Sequence, residues 1–476
     1  MYKSLPSVMA TNGVPPSGEG HDVIVVGAGL SGLTSAYAIL QKKPTARLMV
    51  IEASDHIGGD ISSKTLKSST GANDWDICGS RIGTAQKEVL KLLADLGMET
   101  HPQYNKGNKF WRLPDGKLKK FSGAIPPLPY TTLLDVVRYF KKVDSMQSQV
   151  NTERVKECKH AEEWDAMTVD DFLKKYLWTH VGKITLETMT RSFCSSSPSE
   201  LTMMQYLYII HTCGGWDLHI NSGDKGRSDL IIKGGAMSLC HKLVEKVGKQ
   251  NILFGDGVSG IAEQGGGIKV TTQSGKEYHS QRVIMAIPCC LTGKVTYDPP
   301  LPLDRSHTFP SSNFLMVSVI TYKTPFWREA GHTGEYLNMA ASNPTSTADT
   351  DNTLVISFDM TLPGGQPALK AFSSAARLKG KSREEKKDTI LHLLSNIFGP
   401  QVLDCLDYTD REWAGDVVTD EDKAPATKSS ELLASITKPH GRVHWAGSHT
   451  GTSWCGTLNG AVQAGQRAAE EVVATI

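Results

Sequence analysis

Neither sign of charge prevails in this 476-residue chain: 51 lysines and arginines stand against 50 aspartates and glutamates, a formal charge of +1. That balance gives no electrostatic footprint for nucleic acid or an anionic membrane as partner. No uninterrupted apolar stretch is long enough to span a bilayer. Met1 to Gly20 has no apolar h-region and is rich in Pro, Gly and Ser, so it reads as a disordered tail and not as a signal peptide. The nine cysteines are scattered, without a C-x-x-C pair or Cys/His ligand spacing, so no metal site is expected. An odd, dispersed set of thiols in a large chain points to a reducing compartment. Internal repeats and low-complexity runs are also missing. What remains, 39% hydrophobic and 21% charged, describes a globular protein long enough for two or three domains.

The most informative stretch is Asp22-Val-Ile-Val-Val-Gly-Ala-Gly-Leu-Ser-Gly-Leu33. Val23 to Val26 suit a buried strand of a parallel sheet. Gly27, Gly29 and Gly32 follow at the spacing G-x-G-x-x-G, and Leu30 to about Gln41 reads as a helix. Gly27 permits the tight turn, Gly29 admits a pyrophosphate to the backbone, and Gly32 lets helix and strand pack closely. An anion would rest on the open amides of Leu30, Ser31 and their neighbours at the helix start. Arg47 to Ile51 forms a second strand, and Glu52 ends it, placed for a ribose diol and unfavourable to the 2′-phosphate of NADP. An ordinary βαβ unit with an incidental glycine turn is the plain alternative; the strand–turn–helix–strand–acid order weighs against it.

Further on, Gly58-Gly59 marks a backbone that passes close to a ligand. A helix is expected over roughly Gln86 to Leu96, ended by Gly97, and a hairpin turning at Asp115-Gly116. From about Tyr130 to Ile210 the pattern is helical, with helices over Thr131 to Lys142, Val169 to Trp178, Lys183 to Arg191 and Ser199 to Ile210; such a block reads as a separate lobe. Asp229 to Gly235 looks like the return to the first lobe, followed by a helix from Met237 to Val247. Short β-like segments occupy 252 to 287, and strands are expected near Leu315 to Tyr322 and Leu354 to Phe358. A charged helix runs over roughly Arg383 to Phe398. The chain closes on Arg442 to His449 and a helix from Leu458 whose small residues Gly460, Ala461, Ala464, Gly465, Ala468 and Ala469 fit it closely to another backbone.

Taken with Lys233-Gly-Gly235, Met285-Ala-Ile-Pro288, Ala446-Gly447 and Trp454-Cys-Gly-Thr-Leu-Asn-Gly-Ala-Val-Gln-Ala-Gly465, these motifs resemble FAD-dependent amine oxidases, the animal monoamine oxidases most of all. Ala161 to Thr168, Cys213-Gly-Gly215 and Tyr322-Lys-Thr-Pro-Phe-Trp327 extend the resemblance, which covers roughly Asp22 to Val473. It implies an α/β fold: a Rossmann-like FAD-binding lobe, discontinuous in sequence (21–100, 230–305 and 408–476), plus an α+β substrate-binding lobe (101–229 and 306–407). FAD would have its adenosine near Glu52, Ala53 and Val258 and its pyrophosphate over Gly29, Ser31, Gly59 and Asp60. The flavin would lie near Ser80, Arg81, Ile82, Trp413, Gly447, Ser448, His449, Trp454, Thr457 and Leu458. Tyr176, Leu177, Ile220, Arg227, Ser228, Trp413 and Trp454 would line the substrate pocket. The implied reaction is hydride removal from the carbon bearing an amine, with oxygen as final acceptor and peroxide as product. The cofactor does the hard step and the protein orients it.

Several positions depart from the monoamine oxidase pattern. The arginine after the Gly-Gly turn is Asp60, and a carboxylate beside a pyrophosphate is repelled unless a cation intervenes. Either Asp60 turns to solvent and backbone amides hold the cofactor, or FAD is lost. The lysine that holds a water at the flavin aligns with Val317, which predicts slow reoxidation. No cysteine lies between Trp413 and Arg442, so FAD should be non-covalent. The acid after the Ala-Gly pair is His449, a cofactor contact at best. One cage tyrosine aligns with Thr457, and Ala414 to Lys428 offers no second. Arg81 stands where monoamine oxidases carry tyrosine, and Arg227 or Ser228 replaces a pocket glutamine. A guanidinium there suits a substrate carboxylate; equally, Arg81 pairs with a nearby acid, with Asp60 or with the phosphates.

Three functions follow as expectations. The first is oxidation of a primary or secondary amine, with Trp454, Thr457, Arg81 and Val317 at the reacting centre. The second is an L-amino-acid oxidase-like enzyme using Arg81 for the substrate carboxylate. The third, of another class, is a catalytically impaired flavin-binding relative with a binding role. The chain carries no hydrophobic tail after its last helix, unlike the anchored mitochondrial enzymes, so a cytoplasmic location without a transmembrane anchor is expected. A small-molecule amine or amino acid and molecular oxygen are the expected partners, nucleic acid is not, and a homodimer stays open.

Overall fold

The computed structural model describes residues 20–123, 125–194, 196–220, 226–302, 315–340, 352–412 and 428–476, without the side chains of 219 and 220. Residues 1–19 of the expected tail, Trp413 and the stretch from Ala414 to Thr427 lie outside these.

The strand His21–Val26 is central to an eight-stranded sheet. Leu48–Ile51 pairs with it in parallel on one side and Glu277–Met285 on the other. Ile252–Leu253 extends the first side, and Val443–Trp445 pairs in parallel with Glu277–Met285. Both faces are covered, so Val23, Ile24 and Val25 are fully buried, as a run of β-branched residues predicts. On one face pack the helices Leu30–Lys42, Lys87–Asp95, Ala236–Val247 and Leu458–Val473 through Leu33, Ile39, Leu92, Leu239, Leu243, Val462 and Val472. On the other lie Val258–Gln264 and Gly267–Thr272, which complete an antiparallel meander with Glu277–Met285.

A seven-stranded sheet forms from Asp407–Glu412, Leu315–Thr321, Ala368–Ser374, Leu354–Asp359, His332–Asn338, Asn108–Arg112 and Leu118–Phe121, in that order. The last two are the expected hairpin, with Gly116 at φ +81°. The helix Arg383–Phe398 packs here through Ile390, Leu391 and Leu394.

The helical block is present and longer than expected at two helices, Tyr130–Gln147 and His180–Cys194. One start differs. The helix expected from Ser199 begins at Met203, because Thr202 caps it: its hydroxyl accepts from the Gln205 amide, and the Gln205 side chain accepts from the Thr202 amide. That reciprocal pair satisfies two amides that Ser197-Pro-Ser-Glu200, folded as a turn, leaves aside. Tyr139, Trp164, Tyr206 and Trp216 form its core, which also takes Leu433 and Ala434 from the helix Ser429–Ser435.

Two small sheets connect these parts. Ser62–Ser68 pairs with Gly71–Cys78. Arg81–Ile82 and Thr100–Pro102 both pair with Leu230–Ile232. Among the described residues no helix is long and apolar enough to cross a membrane.

Candidate active site

The glycine turn has the geometry that a dinucleotide needs. Gly27 sits at φ +104°, and a Cβ on Gly32 would lie 2.0 Å from the Gly27 carbonyl oxygen, so neither position accepts another residue without the turn giving way. Gly29 precedes the helix Leu30–Lys42 with no side-chain cap, so the first-turn amides of Leu30, Ser31 and Gly32 have no partner within the helix. Gly29 and Gly58 form an isolated parallel bridge, and the Gly58 amide donates to the Ala28 carbonyl at 3.0 Å. The two glycine segments are thus one surface, with Gly59 exposed on it.

Glu52 has a second task. Its Oε2 accepts from the Ala28 amide at 2.7 Å, and its Oε1 accepts from the Ser54 amide at 2.9 Å and the Ser54 hydroxyl at 2.8 Å. The acid expected at a ribose therefore also fixes the glycine turn from below. Ala53 is exposed beside it, and its Cβ lies 3.0 Å from where one on Gly257 would stand, next to Val258.

Asp60 is solvent-accessible by surface area yet closely ringed by protein, as a residue on the floor of a groove would be. That crowding pushes its carboxyl above the usual carboxylate range, and the Arg411 guanidinium opposes the shift. Arg411, cross-strand neighbour of Val317, is the cation that the departure at position 60 calls for. Nothing in the sequence marks it, because the two residues stand 351 positions apart, Asp60 in the turn after the second glycine segment and Arg411 on the edge strand Asp407–Glu412.

Further along the chain, Ser80, Arg81 and Ile82 follow Gly79, whose added Cβ would stand 3.4 Å from the Leu458 side chain. Thr457 caps the closing helix, its hydroxyl accepting from the Gly460 amide at 3.3 Å and donating to the Trp454 carbonyl at 2.7 Å. Trp454 is the one residue other than glycine with positive φ among the described residues, at +54°, and it is buried. Its amide donates to the Thr212 carbonyl at 2.8 Å, which ties the closing segment to the helical block. A bulky residue in this conformation is strained and persists only where its surroundings hold it. Ser448 and His449 lie in the short turn Ser448–Thr450 after buried Gly447; the His449 ring stands where a Cβ on Gly447 would be, 2.2 Å from its Cε1.

Arg81 is brought towards Arg227 by two features. Arg81 and Ile82 pair with Ile231 and Leu230, and a Cβ on Gly83 would lie 2.0 Å from the Gly226 carbonyl. The Arg227 guanidinium lies 5.6 Å from the Phe193 ring centroid, and Ser228 is half-buried beside it. Burial pushes the Arg81 guanidinium down to about 10, opposed by Glu335 and reinforced by Arg227.

The remaining expected site residues are placed as follows. Val317 is buried among Trp75, Ile77, Cys78 and Val319. Tyr176 stacks on Phe172 at 5.4 Å, lies 4.0 Å beneath the Arg138 guanidinium, and with Leu177 borders the helical core. Ile220 ends the helix Trp216–Ile220, its side chain outside the described set, as is the whole of Trp413. Lys370, not foreseen, reaches the same region: its ammonium donates to the Ser80 hydroxyl at 2.9 Å. A lysine inside the apolar sequence Ala368-Leu-Lys-Ala-Phe372 was the available signal.

These residues suit FAD. An uncapped helix start, a glycine surface and an acid beside it are what a dinucleotide needs, and a strained tryptophan stands just before the closing helix. Comparison with known proteins agrees. The family profile described as flavin containing amine oxidoreductase matches residues 30–473. The chain is 28% identical over 468 residues to flavin-containing amine oxidase A of Equus caballus, covering 96% of this chain and 86% of that one. It is 28% identical over 466 residues to the flavin-containing amine oxidase of Oncorhynchus mykiss, covering 95% and 85%. In fold it is similar to wild-type putrescine oxidase bound to putrescine, with a TM-score of 0.82 at 23% identity over 96% of this chain and 99% of that one. Cyclohexylamine oxidase from Brevibacterium oxydans IH-35A gives 0.82 at 21% identity, with the same coverage. With the profile running from the start of the helix Leu30–Lys42 through the strand Arg81–Ile82 to the closing helix, the chain belongs to the flavin-containing amine oxidoreductases, and its cofactor is FAD.

Proposed function

We propose that this enzyme oxidises a primary or secondary amine with molecular oxygen as the acceptor, and that FAD is held without a covalent bond. When bound, FAD would supply the hydride acceptor for the carbon bearing the amine and pass two electrons and two protons to oxygen as hydrogen peroxide, and water would hydrolyse the imine product to an aldehyde and free ammonia or amine. The protein's part is to bind, orient and exclude water. The amides of Leu30, Ser31 and Gly32 would receive the pyrophosphate, with Gly59 alongside and Arg411 offsetting Asp60. Glu52 would keep the turn in register and meet the ribose. Ser80, Ile82, Gly447, Ser448, Thr457 and Leu458 would flank the flavin. Buried Trp454 would close the apolar side, where a neutral amine loses less solvation than a charged one. Hydride transfer from a neutral amine needs no general base at the carbon.

The observation that carries this reading is the junction around Trp454, whose amide reaches the helical block at Thr212 while Leu458, opening the next helix, lies against Gly79 before the strand Arg81–Ile82. A division into an FAD lobe and a substrate lobe goes with it. The eight-stranded sheet draws its strands from 21–51, 252–298 and 443–445, whereas Asp407–Glu412 pairs into the seven-stranded sheet. A cytoplasmic location is supported by nine free thiols, none joined in a disulfide.

The test is direct. Protein as purified should be yellow and release FAD on denaturation. Benzylamine added without air should bleach the flavin, and readmitted oxygen should restore the colour with peroxide formed. A bound flavin that no amine bleaches would overturn the proposal.

A further inference from the structure

Lys370 is the one charged side chain in the strand Ala368–Ser374, and it is 3% exposed between Leu369 and Ala371, both fully buried. Its cross-strand partners, Val319 on one side and Phe358 on the other, are apolar. Residues directly opposite in an antiparallel pair share a face, so its own sheet gives the ammonium no polar neighbour there. Its hydrogen bonds leave the sheet: one to the Ser80 hydroxyl at 2.9 Å and a longer one to the Asp76 carbonyl at 3.4 Å. Among the described residues it has no other hydrogen bond and no ion pair; the Phe372 ring centroid lies 5.6 Å away.

The charged neighbours do not neutralise it. The Asp76 carboxylate accepts the Ser63 hydroxyl and the Ala236 amide, each at 2.7 Å. Arg81, whose guanidinium lies 3.8 Å from the Phe358 ring centroid, adds a second positive charge and also has no ion pair among the described residues. A buried ammonium without a counter-ion is destabilising, so its presence calls for a use.

The second observation is at Ser80. An ammonium only donates, so Ser80 Oγ accepts and its own O–H is left to donate. Ser80 is 6% exposed, and among the described residues nothing accepts from that hydroxyl. A hydroxyl that accepts from a cation is the stronger donor for it, because successive hydrogen bonds polarise one another. A flavin ring offers carbonyl and ring-nitrogen acceptors, and a neutral ring that receives a hydride gains one negative charge.

We propose that Lys370 and Ser80 form a relay to the flavin: the ammonium polarises the Ser80 hydroxyl, which donates to the ring and stabilises the negative charge that reduction brings. Lys370 is then a positioning residue that raises the reduction potential without touching the cofactor. This rests on the reading above that Ser80 flanks the flavin.

The test is the midpoint potential of the holoenzyme, titrated with dithionite against a reference dye, which needs no amine. In Lys370→Met and in Ser80→Ala the ratio of reduced to oxidised flavin at a fixed potential should fall about tenfold, the size expected for a hydrogen bond to a charged group. For a two-electron couple that is a shift of about 30 mV to lower potential. Lys370→Arg, which keeps the charge, should hold most of the wild-type value. The double variant should fall no further than either single one, since each change breaks the same relay. A potential that neither single variant moves would overturn the relay, as would a double variant that falls by the sum of the two. Equal losses in Lys370→Met and Lys370→Arg would overturn it as well, because packing and not charge would then be the cause. Potentials lowered as expected, in a flavin that no amine bleaches, would uphold the relay and overturn the oxidase reading. Bleaching by benzylamine with unmoved potentials would do the reverse.

Discussion

Lys370 shows how one side chain couples folding to acidity. Burial pushes its ammonium down to about 8, with Cys78 and Asp76 pulling it up and Arg81 pushing it further down. A lysine whose folded value lies below its ordinary 10.5 makes the unfolded chain bind more protons between those limits. Stability should therefore rise with pH over that window, by about 3 kcal/mol if no other group titrates. Lys370→Met should be the more stable protein at pH 7 and should lose that rise; chemical denaturation of both proteins at pH 7 and pH 10 measures it. Asp60 gives a second case. Removing its charge in Asp60→Asn should tighten FAD binding about two- to fivefold at low salt and less at high salt, since a partly exposed like charge contributes only about 0.5–1 kcal/mol. Fluorescence titration of the apoprotein with FAD reads this. Asp60 could be recognised as anomalous in the sequence, but its neutralising Arg411 could not, because nothing local marks a pair so far apart. Arg81 was legible as a cation in a pocket; that it has no acid of its own is a fact of packing alone.

The elements divide in the same way. The opening strand, its glycine turn and the helix Leu30–Lys42 could be read residue by residue, because steric needs there are local. Gly32→Ala should cost about 3 kcal/mol or more, since its methyl would meet a backbone oxygen with no room to move, and thermal unfolding should show the loss directly. The start of the helix Lys87–Asp95 is the opposite case. Its Gln86 makes no cap, and the amides of Glu88 and Val89 donate instead to Asn459 Oδ1, at 3.0 and 3.1 Å, across 371 and 370 residues. Asn459 is fully buried and also donates to the Glu88 carboxylate at 2.6 Å. Asn459→Ala should therefore destabilise by about 2–4 kcal/mol, more than an ordinary cap, because it strands two buried donors and an acid. Asn459→Asp, which keeps the acceptor but faces Glu88 with a like charge, should be no better than the alanine variant in denaturant titration. Sequence pattern assigned this helix correctly from its apolar face and Gly97, yet had no means to see what holds its front end.

Across the molecule, the two ends of the chain are built into one another. The helix Leu30–Lys42 packs along Leu458–Val473, where a Cβ on Gly465 would lie 2.5 Å from the Ser31 carbonyl oxygen. The strand His21–Val26 reaches Val443–Trp445 through Glu277–Met285. The glycine fingerprint therefore belongs to a lobe whose last wall is supplied more than four hundred residues later. During synthesis the dinucleotide cradle therefore stays open on one flank until the helix Leu458–Val473 has emerged, so a vitamin-derived cofactor meets a complete seat on the nascent polypeptide only once that helix is in place.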